Sequence, residues 1–225
     1  LAGVSLSLSI GLTMHLYALC ALRTFPLGRA WMKRFRRALF LRRIARERLL
    51  IANVGGNRSA MPHACLRRAV RTADGYALSG IAPFMSLATV ADYAVVSARL
   101  GDTEDGIFAV RLRPRPRGLA FRPPSFGALM PASCTRRVEF AEVCVPRAAL
   151  IHRTDDSPLC HRLFTLQRAW LHFLTAAAYL GASQEAIRRH FPAAAGELKP
   201  HLATAFQASH LLANALTGPQ HPPGP

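Results

Sequence analysis

The stretch from Asp74 to Leu100 constrains the fold of this chain most strongly, because it has the pattern of two strands with a distinctive segment between them. Asp74-Gly75 is a hairpin-type turn signal, and the alternating residues after it predict the first strand. The β-branched run over 93–98 predicts the second. Between them, Phe84 and Ser86 are two residues apart, so on a strand their side chains would share one face. A flat cofactor could lie against such a ring and be hydrogen-bonded by such a hydroxyl.

A second patterned stretch, 126–151, predicts a long core strand. Its residues Val138, Phe140 and Val143 are spaced to face a core, and Pro146 ends the pairing. Shorter apolar runs predict three more strands, over 49–52, 65–73 and 107–112. The chain therefore contains a substantial β-domain.

Helical patterns occur towards both ends of the chain. The apolar run 1–22 predicts a buried helix rather than a membrane span, with His15 as a core or interface histidine and not a catalyst. The run 25–48 predicts an amphipathic basic helix with a solvated face, and its apolar residues at near-helical spacing are Trp31, Phe35, Leu39 and Ile44.

After the β-domain, Pro158 is a suitable first helical residue, and helices are predicted over 163–190 and 198–216. The proline-rich segment 113–124 is expected to be an irregular surface loop.

The formal net charge of +17 is large for 225 residues, and a basic surface is one way to bind nucleic acid or an anionic membrane. No nucleic-acid motif accompanies the charge, so we expect neither partner. The five cysteines form no CxxC pair and the nine histidines no HxxxH pattern, so no metal site is expected. Cysteines in an odd number without paired spacing are typical of reduced thiols, which predicts a cytoplasmic protein.

Both patterned stretches resemble the central β-domain of the acyl-CoA dehydrogenase family of flavoproteins. The family's first motif is matched here by Gly75, Tyr76, Leu78, Gly80, Phe84, Ser86, Ala91 and Asp92. Its closing motif is matched by Gly127, Ser133, Val138, Phe140, Glu142, Val143, Val145, Pro146 and Leu150. The helix around Arg168 resembles the first helix of the family's C-terminal bundle.

The resemblance implies a multi-domain α+β fold. It divides the chain into the end of an N-terminal helical domain (1–48), a central β-barrel-like domain for flavin and substrate (49–152), a partial C-terminal helical bundle (153–217) and a disordered tail (218–225). Because the chain begins at Leu1 and is shorter than family members, we expect pieces to be missing at one or both ends.

The resemblance also implies the binding residues. FAD is expected to contact residues from two parts of the β-domain: Ile51, Ala52, Phe84, Met85 and Ser86. The loop that follows Ala52 is expected to contact the substrate through Asn53 and Arg58. Ala52 stands where the family has a threonine, so one side-chain hydrogen bond to the flavin is lost.

The reaction implied is the FAD-dependent α,β-dehydrogenation of acyl-CoA thioesters, in which a glutamate base removes the α-proton. In the family that base lies in the C-terminal bundle beyond the helices predicted here, so no catalytic residue is assigned and impaired activity is expected. The alternatives are a two-component flavin monooxygenase that uses FMN, and a non-catalytic remnant that serves as an oligomerisation or binding module. The implied partners are an acyl-CoA or other small-molecule substrate, further copies of the chain in a homo-oligomer, and an electron-transfer flavoprotein.

Overall fold

The structure is a computed structural model that describes residues 5–24, 31–54, 67–101, 104–124, 131–154, 158–192, 196, 200, 203–205 and 207–208. The helices of eight or more residues in this part of the chain are α1 Leu6–Thr24, α2 Trp31–Glu47 and α3 Pro158–His190. The strands are β1 Ile51–Val54, β2 Arg67–Arg71, β3 Gly75–Met85, β4 Tyr93–Arg99, β5 Asp105–Arg111, β6 Leu119–Arg122, β7 Arg136–Pro146 and β8 Leu150–Thr154.

The eight strands form one mixed sheet in the order β6-β7-β3-β2-β4-β5-β8, with β1 paired to β4. Most neighbours are antiparallel, but β1 and β2 both run parallel to β4. Both of these strands lie on the same side of β4, because β5 pairs with the other side along its whole length. Ile51 pairs with Tyr93 at the start of β4 and Arg68 with Arg99 at its end. β1 and β2 therefore follow one another in the space between β3 and β4.

The main core lies on the inner face of the sheet. Its fully buried members include Leu78, Met85, Phe108 and Val138. The ring of Tyr76 packs edge-on against that of Phe108, with ring centroids 5.2 Å apart. Because these strands place alternate residues on this face, the core accounts for the alternation seen in the sequence.

A second core joins the helices to the outer face of the sheet. Ala18 and Leu22 of α1 and Ile44 of α2 pack with Ile51 and with other strand residues of that face. The backbone N–H of Ile51 also donates a hydrogen bond of 3.0 Å to Nδ1 of His15. The interpretation of His15 as a satisfied interface histidine is therefore confirmed.

The predicted helices are confirmed with shifted ends, and α3 begins at Pro158 as expected. No helix among the described residues is long and apolar enough to cross a membrane. α2 differs from expectation in its packed face: Phe35 and Leu39 are exposed, whereas Phe40 and Leu41 contact the second core. The packed stripe of α2 is thus rotated from the one that the spacing suggested.

The strand predictions need two corrections. The segment 113–124, expected to be a loop, contains β6, which pairs with β7. β8 was not predicted either; it pairs with β5 and follows a short 3₁₀ turn after β7. The three expected core residues of β7 are buried, and a bulge at Glu142, with φ of 53°, explains why Phe140 and Val143 are three residues apart and still face one core.

The described residues between 200 and 208 are helical, which agrees with the helix predicted over 198–216 as far as they extend. The tail 218–225 lies outside the described residues. The division into domains remains a prediction.

Candidate functional site

The end of β3 presents an aromatic ring on the outer face of the sheet. Met85 is fully buried in the main core, and its neighbour Phe84 is 52% exposed. The register of β3 against β7 shifts between Ala82 and Met85, which leaves two residues between these inward-facing positions. This irregularity turns the large apolar Phe84 outward, where a ligand could cover it.

Ser86 follows directly, but it lies in the turn after β3 and not on the strand as the spacing argument assumed. Its Oγ is 3.1 Å from Oγ1 of Thr135, and Thr135 Oγ1 is 2.7 Å from Oγ of the buried Ser133. The backbone N–H of Ser133 in turn donates to Oγ of Ser7 in α1 over 2.9 Å. Ser86 is therefore held in place by hydroxyl groups from other parts of the fold.

Two backbone hydrogen bonds fasten the turn that contains Ser86. The N–H groups of Leu87 and Ala88 donate to the carbonyl oxygens of Ser133 and Cys134 over 2.8 and 3.1 Å. Leu87 and Cys134 both have positive φ angles, 62° and 51°, which are unfavourable for residues with side chains. Residues held in unfavourable backbone conformations are concentrated at functional sites. The positive φ angles of the two residues therefore support this turn as part of a functional site.

β1 is the neighbour of this part of β3. Because Arg67 pairs with Gly80 and Arg68 with Arg99, the end of β3 extends alongside β1, which it contacts. The structure thus brings together the two parts of the β-domain in which cofactor-binding residues were predicted.

The side chains of Ile51 and Ala52 are both fully buried, that of Ile51 in the second core and that of Ala52 in the main core. The exposed fraction of each residue is 0% with the backbone included, so neither offers a surface to a ligand in this structure. Their assignment remains a prediction.

Asn53 was expected in a loop but lies within β1, paired with Val95. Alternation places Asn53 on the outer face with Ile51, the same face as Phe84. Arg58 lies outside the described residues. Substrate binding by either residue remains a prediction.

Arg67 is a structural residue beside the candidate site that the sequence did not single out. It is only 1% exposed, and its guanidinium donates to the carbonyl oxygens of Ser97 in β4 and Ile81 in β3 over 2.8 and 3.1 Å. These bonds join the two strands at the point where β2 begins, next to the ladder formed by β1. A lone arginine in a basic chain carries no signal of burial, so no sequence pattern could have indicated this role.

The similarities of this chain to known proteins are similarities of structure. No family model matches the sequence, and no curated protein does. Among solved structures, a dibenzothiophene monooxygenase (TdsC) from a Paenibacillus species is 17% identical, with a TM-score of 0.73 over 97% of this chain. A glutaryl-coenzyme A dehydrogenase in complex with glutaryl-CoA is 16% identical, with a TM-score of 0.71 over 95% of this chain. The chain has the acyl-CoA dehydrogenase fold.

The chain spans 61% of the dibenzothiophene monooxygenase and 58% of that glutaryl-coenzyme A dehydrogenase. The glutaryl-CoA dehydrogenase from Mycobacterium smegmatis shows the same relation, with a TM-score of 0.65 and 56% of its length covered. An acyl-CoA dehydrogenase-like arrangement of helices and sheet, predicted from two motifs, is therefore confirmed.

Within this acyl-CoA dehydrogenase-like fold, a cavity of about 540 Å³ is lined by residues of α1, α2 and the segment before β1, and neither Phe84 nor Ser86 is among them. His15, Cys20 and apolar residues of both helices line it. Burial lowers the pKa of His15 and raises the pKa of the Cys20 thiol, so both side chains favour their neutral forms. None of the predicted binding residues that the structure describes lines this cavity.

Asp92 is the carboxylate closest in sequence to the site, and it has a structural role. Its Oδ2 accepts a hydrogen bond of 2.9 Å from the N–H of Leu50 and thereby fixes the start of β1 beside β4. Among the residues that the structure describes, no group of three or more His, Cys, Asp or Glu side chains is placed to hold a metal ion.

Proposed function

We propose that this chain binds a flavin at the end of β3 and belongs functionally to the flavin-dependent oxidoreductases. The observation that carries the proposal is the pair formed by the half-exposed ring of Phe84 and the anchored hydroxyl of Ser86. A tricyclic ring has apolar faces and polar edges, so an aromatic side chain beside a fixed hydrogen-bonding group suits it.

In this proposal Phe84 would contact the face of the ring, and Ser86 would hydrogen-bond its edge. Met85, Ile51 and Ala52 are proposed as further contacts, and because all three are fully buried, contact with them would require the end of β3 to separate locally from β1. The bound flavin supplies the capacity to accept a hydride, which no amino-acid side chain has. Water exclusion and orientation are the tasks of the protein residues.

The reaction that we propose first is α,β-dehydrogenation of an acyl-CoA thioester with FAD, with Asn53 and Arg58 as contacts to the substrate. The presence of two glutaryl-CoA dehydrogenases among the structural neighbours supports it. The reaction also needs a carboxylate base. Because Asp92 is engaged in fixing β1, we assign no base to the described residues and expect weak dehydrogenase activity.

Flavin-dependent monooxygenation with FMN is the second candidate. A monooxygenase and its FMN-bound form, both named TdsC, are structural neighbours of this chain. Ala52 also favours it, since this buried residue offers no side-chain group at the position of the dehydrogenase threonine. If neither activity is present, the chain would act as an oligomerisation or binding module.

The proposal includes partners and place of action. A cytoplasmic homo-oligomer is proposed, with an electron-transfer flavoprotein as redox partner of the dehydrogenase reaction. Nucleic acid and membrane are not proposed as partners.

The test is the visible absorption spectrum of the purified protein before and after incubation with FAD or FMN and desalting. We expect flavin bands that persist in the native chain and in Phe35→Ala, which removes a similarly exposed ring from α2. The double variant Phe84→Ala/Ser86→Ala is expected to lose them. A native chain that stays colourless with both flavins well above micromolar concentrations would overturn the proposal.

Two additions to the flavin-loaded protein separate the candidate reactions. Bleaching of the flavin absorbance by an acyl-CoA without oxygen would support dehydrogenation. Consumption of oxygen after loading with reduced FMN, with incorporation of oxygen into an aromatic sulfide, would support monooxygenation.

A further inference from the structure

Three hydroxyl groups from different elements form a chain at the end of β3. Ser133 closes the 3₁₀ turn Pro131–Ser133, Thr135 precedes β7, and Ser86 follows β3. The oxygen of Thr135 is in the middle, 2.7 Å from that of Ser133 and 3.1 Å from that of Ser86. The shorter distance is close to the most common value for hydroxyl hydrogen bonds, and the longer one lies just above their usual range.

The number of hydroxyl hydrogens limits the hydrogen bonds that these three residues can offer to a ligand. Each hydroxyl has one hydrogen and can also accept. Two bonds among the three hydroxyls use two hydrogens, and the direction of the bond between Thr135 and Ser86 decides what Ser86 can offer. If Ser133 donates to Thr135 and Thr135 to Ser86, then Ser86 keeps a hydrogen to donate outside the chain. If the order is reversed, Ser86 donates to Thr135 and offers lone pairs instead.

We propose that Thr135 is a positioning residue for Ser86, and that the chain lets Ser86 serve both oxidation states of a bound flavin. This inference rests on the proposed function. An oxidised flavin ring presents nitrogen and oxygen acceptors along its edge, and reduction by two electrons adds N–H donors. Ser86 would donate to the first and accept from the second. Reversal of the hydrogens requires no movement of the three oxygen atoms.

The burial of the chain supports this role. Ser133 is 1% exposed and is tied to α1 through the bond from its N–H to Ser7. Gly11, one turn further along α1, lies so close to Leu87 that a Cβ would be 2.9 Å from the Leu87 side chain. Ser133 and the turn after β3 are thus both packed against α1, which restricts the movement of the two ends of the hydroxyl chain.

The experiment measures the dissociation constant of FAD, oxidised and chemically reduced under anaerobic conditions, for four proteins: native, Ser86→Ala, Thr135→Val and the double variant. Loss of one hydrogen-bonded partner should weaken FAD binding by about three- to tenfold in Thr135→Val, in both oxidation states. In the Ser86→Ala background the same change should have no further effect, because Thr135 acts through Ser86.

Two controls show that the effect belongs to the hydroxyl. Thr135→Ser keeps the hydroxyl and should bind FAD like the native protein. Thr89→Val makes the same substitution in the turn after β3 at a side chain without a hydrogen bond among the described residues, and should also bind normally. Equal affinities of Thr135→Val and native protein would overturn the inference, as would an equal loss in the Ser86→Ala background.

Failure of the proposed function would look different, since the native protein itself would then bind no FAD. In that case the proposed role of the three hydroxyls in flavin binding would be refuted as well. The positioning of Ser86 is measured without ligand from the unfolding midpoints of the same four proteins. Ser86→Ala and Thr135→Val should be non-additive, and additive shifts would contradict the contact itself.

Discussion

Arg67 shows how one buried residue holds the sheet together beside the candidate site. β2 begins at Arg67. The backbone of β2 therefore links β3 and β4 only as far as this residue. The guanidinium takes over, with bonds to Ile81 of β3 and to both the carbonyl and the hydroxyl of Ser97 in β4. Arginine suits this place because its planar fork carries five donors in fixed directions.

We predict that Arg67→Met lowers the free energy of unfolding by about 2–4 kcal/mol, because it leaves buried carbonyl oxygens without their donor. Chemical denaturation measures this change. Arg68→Met is the matched control: it is the next residue of β2, is exposed, and should change stability by less than about 0.5 kcal/mol. Equal effects of the two substitutions would refute the bridging role of Arg67.

His15 makes the docking of α1 sensitive to pH. Its Nδ1 accepts the N–H of Ile51, which requires that nitrogen to be unprotonated, and burial lowers the pKa of His15. In the unfolded chain, His15 therefore binds a proton when the pH falls below about 6.5, whereas in the folded chain it does so only at a lower pH. Folding stability is present above that pH and is lost as the pH falls through the lowered pKa of the folded state.

The prediction is that the free energy of unfolding falls less between about pH 7 and pH 5 in His15→Leu than in the native protein. Urea denaturation at several pH values gives the slopes. His190→Leu, at an exposed residue at the end of α3, should keep the native slope. A native slope in His15→Leu would show that another group controls this pH dependence.

At the scale of elements, the pairing of β6 with β7 depends on a close approach of backbones. Gly118 has a φ of 83°, and a Cβ there would be 2.1 Å from the carbonyl oxygen of Ala141. The N–H of Ala141 donates to the Gly118 carbonyl over 2.8 Å just before the bulge at Glu142. Only glycine can adopt this backbone angle without strain and also leave room for the carbonyl oxygen of Ala141.

We expect Gly118→Ala to destabilise the protein by about 1–3 kcal/mol or more, since backbone strain and a steric clash combine. Thermal unfolding is the measurement. Gly101→Ala serves as control, because a Cβ at Gly101 has nothing within 4 Å. If both variants have the same melting temperature as the native protein, the β6–β7 corner does not constrain the sheet.

The elements that the sequence predicts well are those with a strong local pattern. β3 and β7 largely alternate between core and surface, β4 contains a β-branched apolar run, and α1 and α3 are long enough to be recognised by composition. β6 could not be predicted, because its four residues follow several prolines and become a strand only by pairing with β7. The rotation of α2 has the same origin: its packed face is chosen by Ile51 and Val95 of the sheet, not by its own sequence.

At the scale of the whole molecule, the place of the site remains a prediction that rests on the spacing of Phe84 and Ser86 and on the resemblance. The structure places the end of β3, which includes Phe84, beside β1. The hydroxyl chain through Thr135 and the bridge through Arg67 join segments that are distant in sequence, so no local pattern could reveal them. The packing of α1 against both the sheet and α3 likewise becomes visible only in the fold.

The central claim is that a flavin binds at the end of β3, and backbone amide chemical shifts measured by NMR during a titration with FAD test it most directly. The largest shifts are predicted over 51–53 and 83–88, with a saturation curve that is weakened in Thr135→Val and unchanged in Thr89→Val. Shifts confined to the residues around the cavity between α1 and α2, or no shifts at all, would contradict the account.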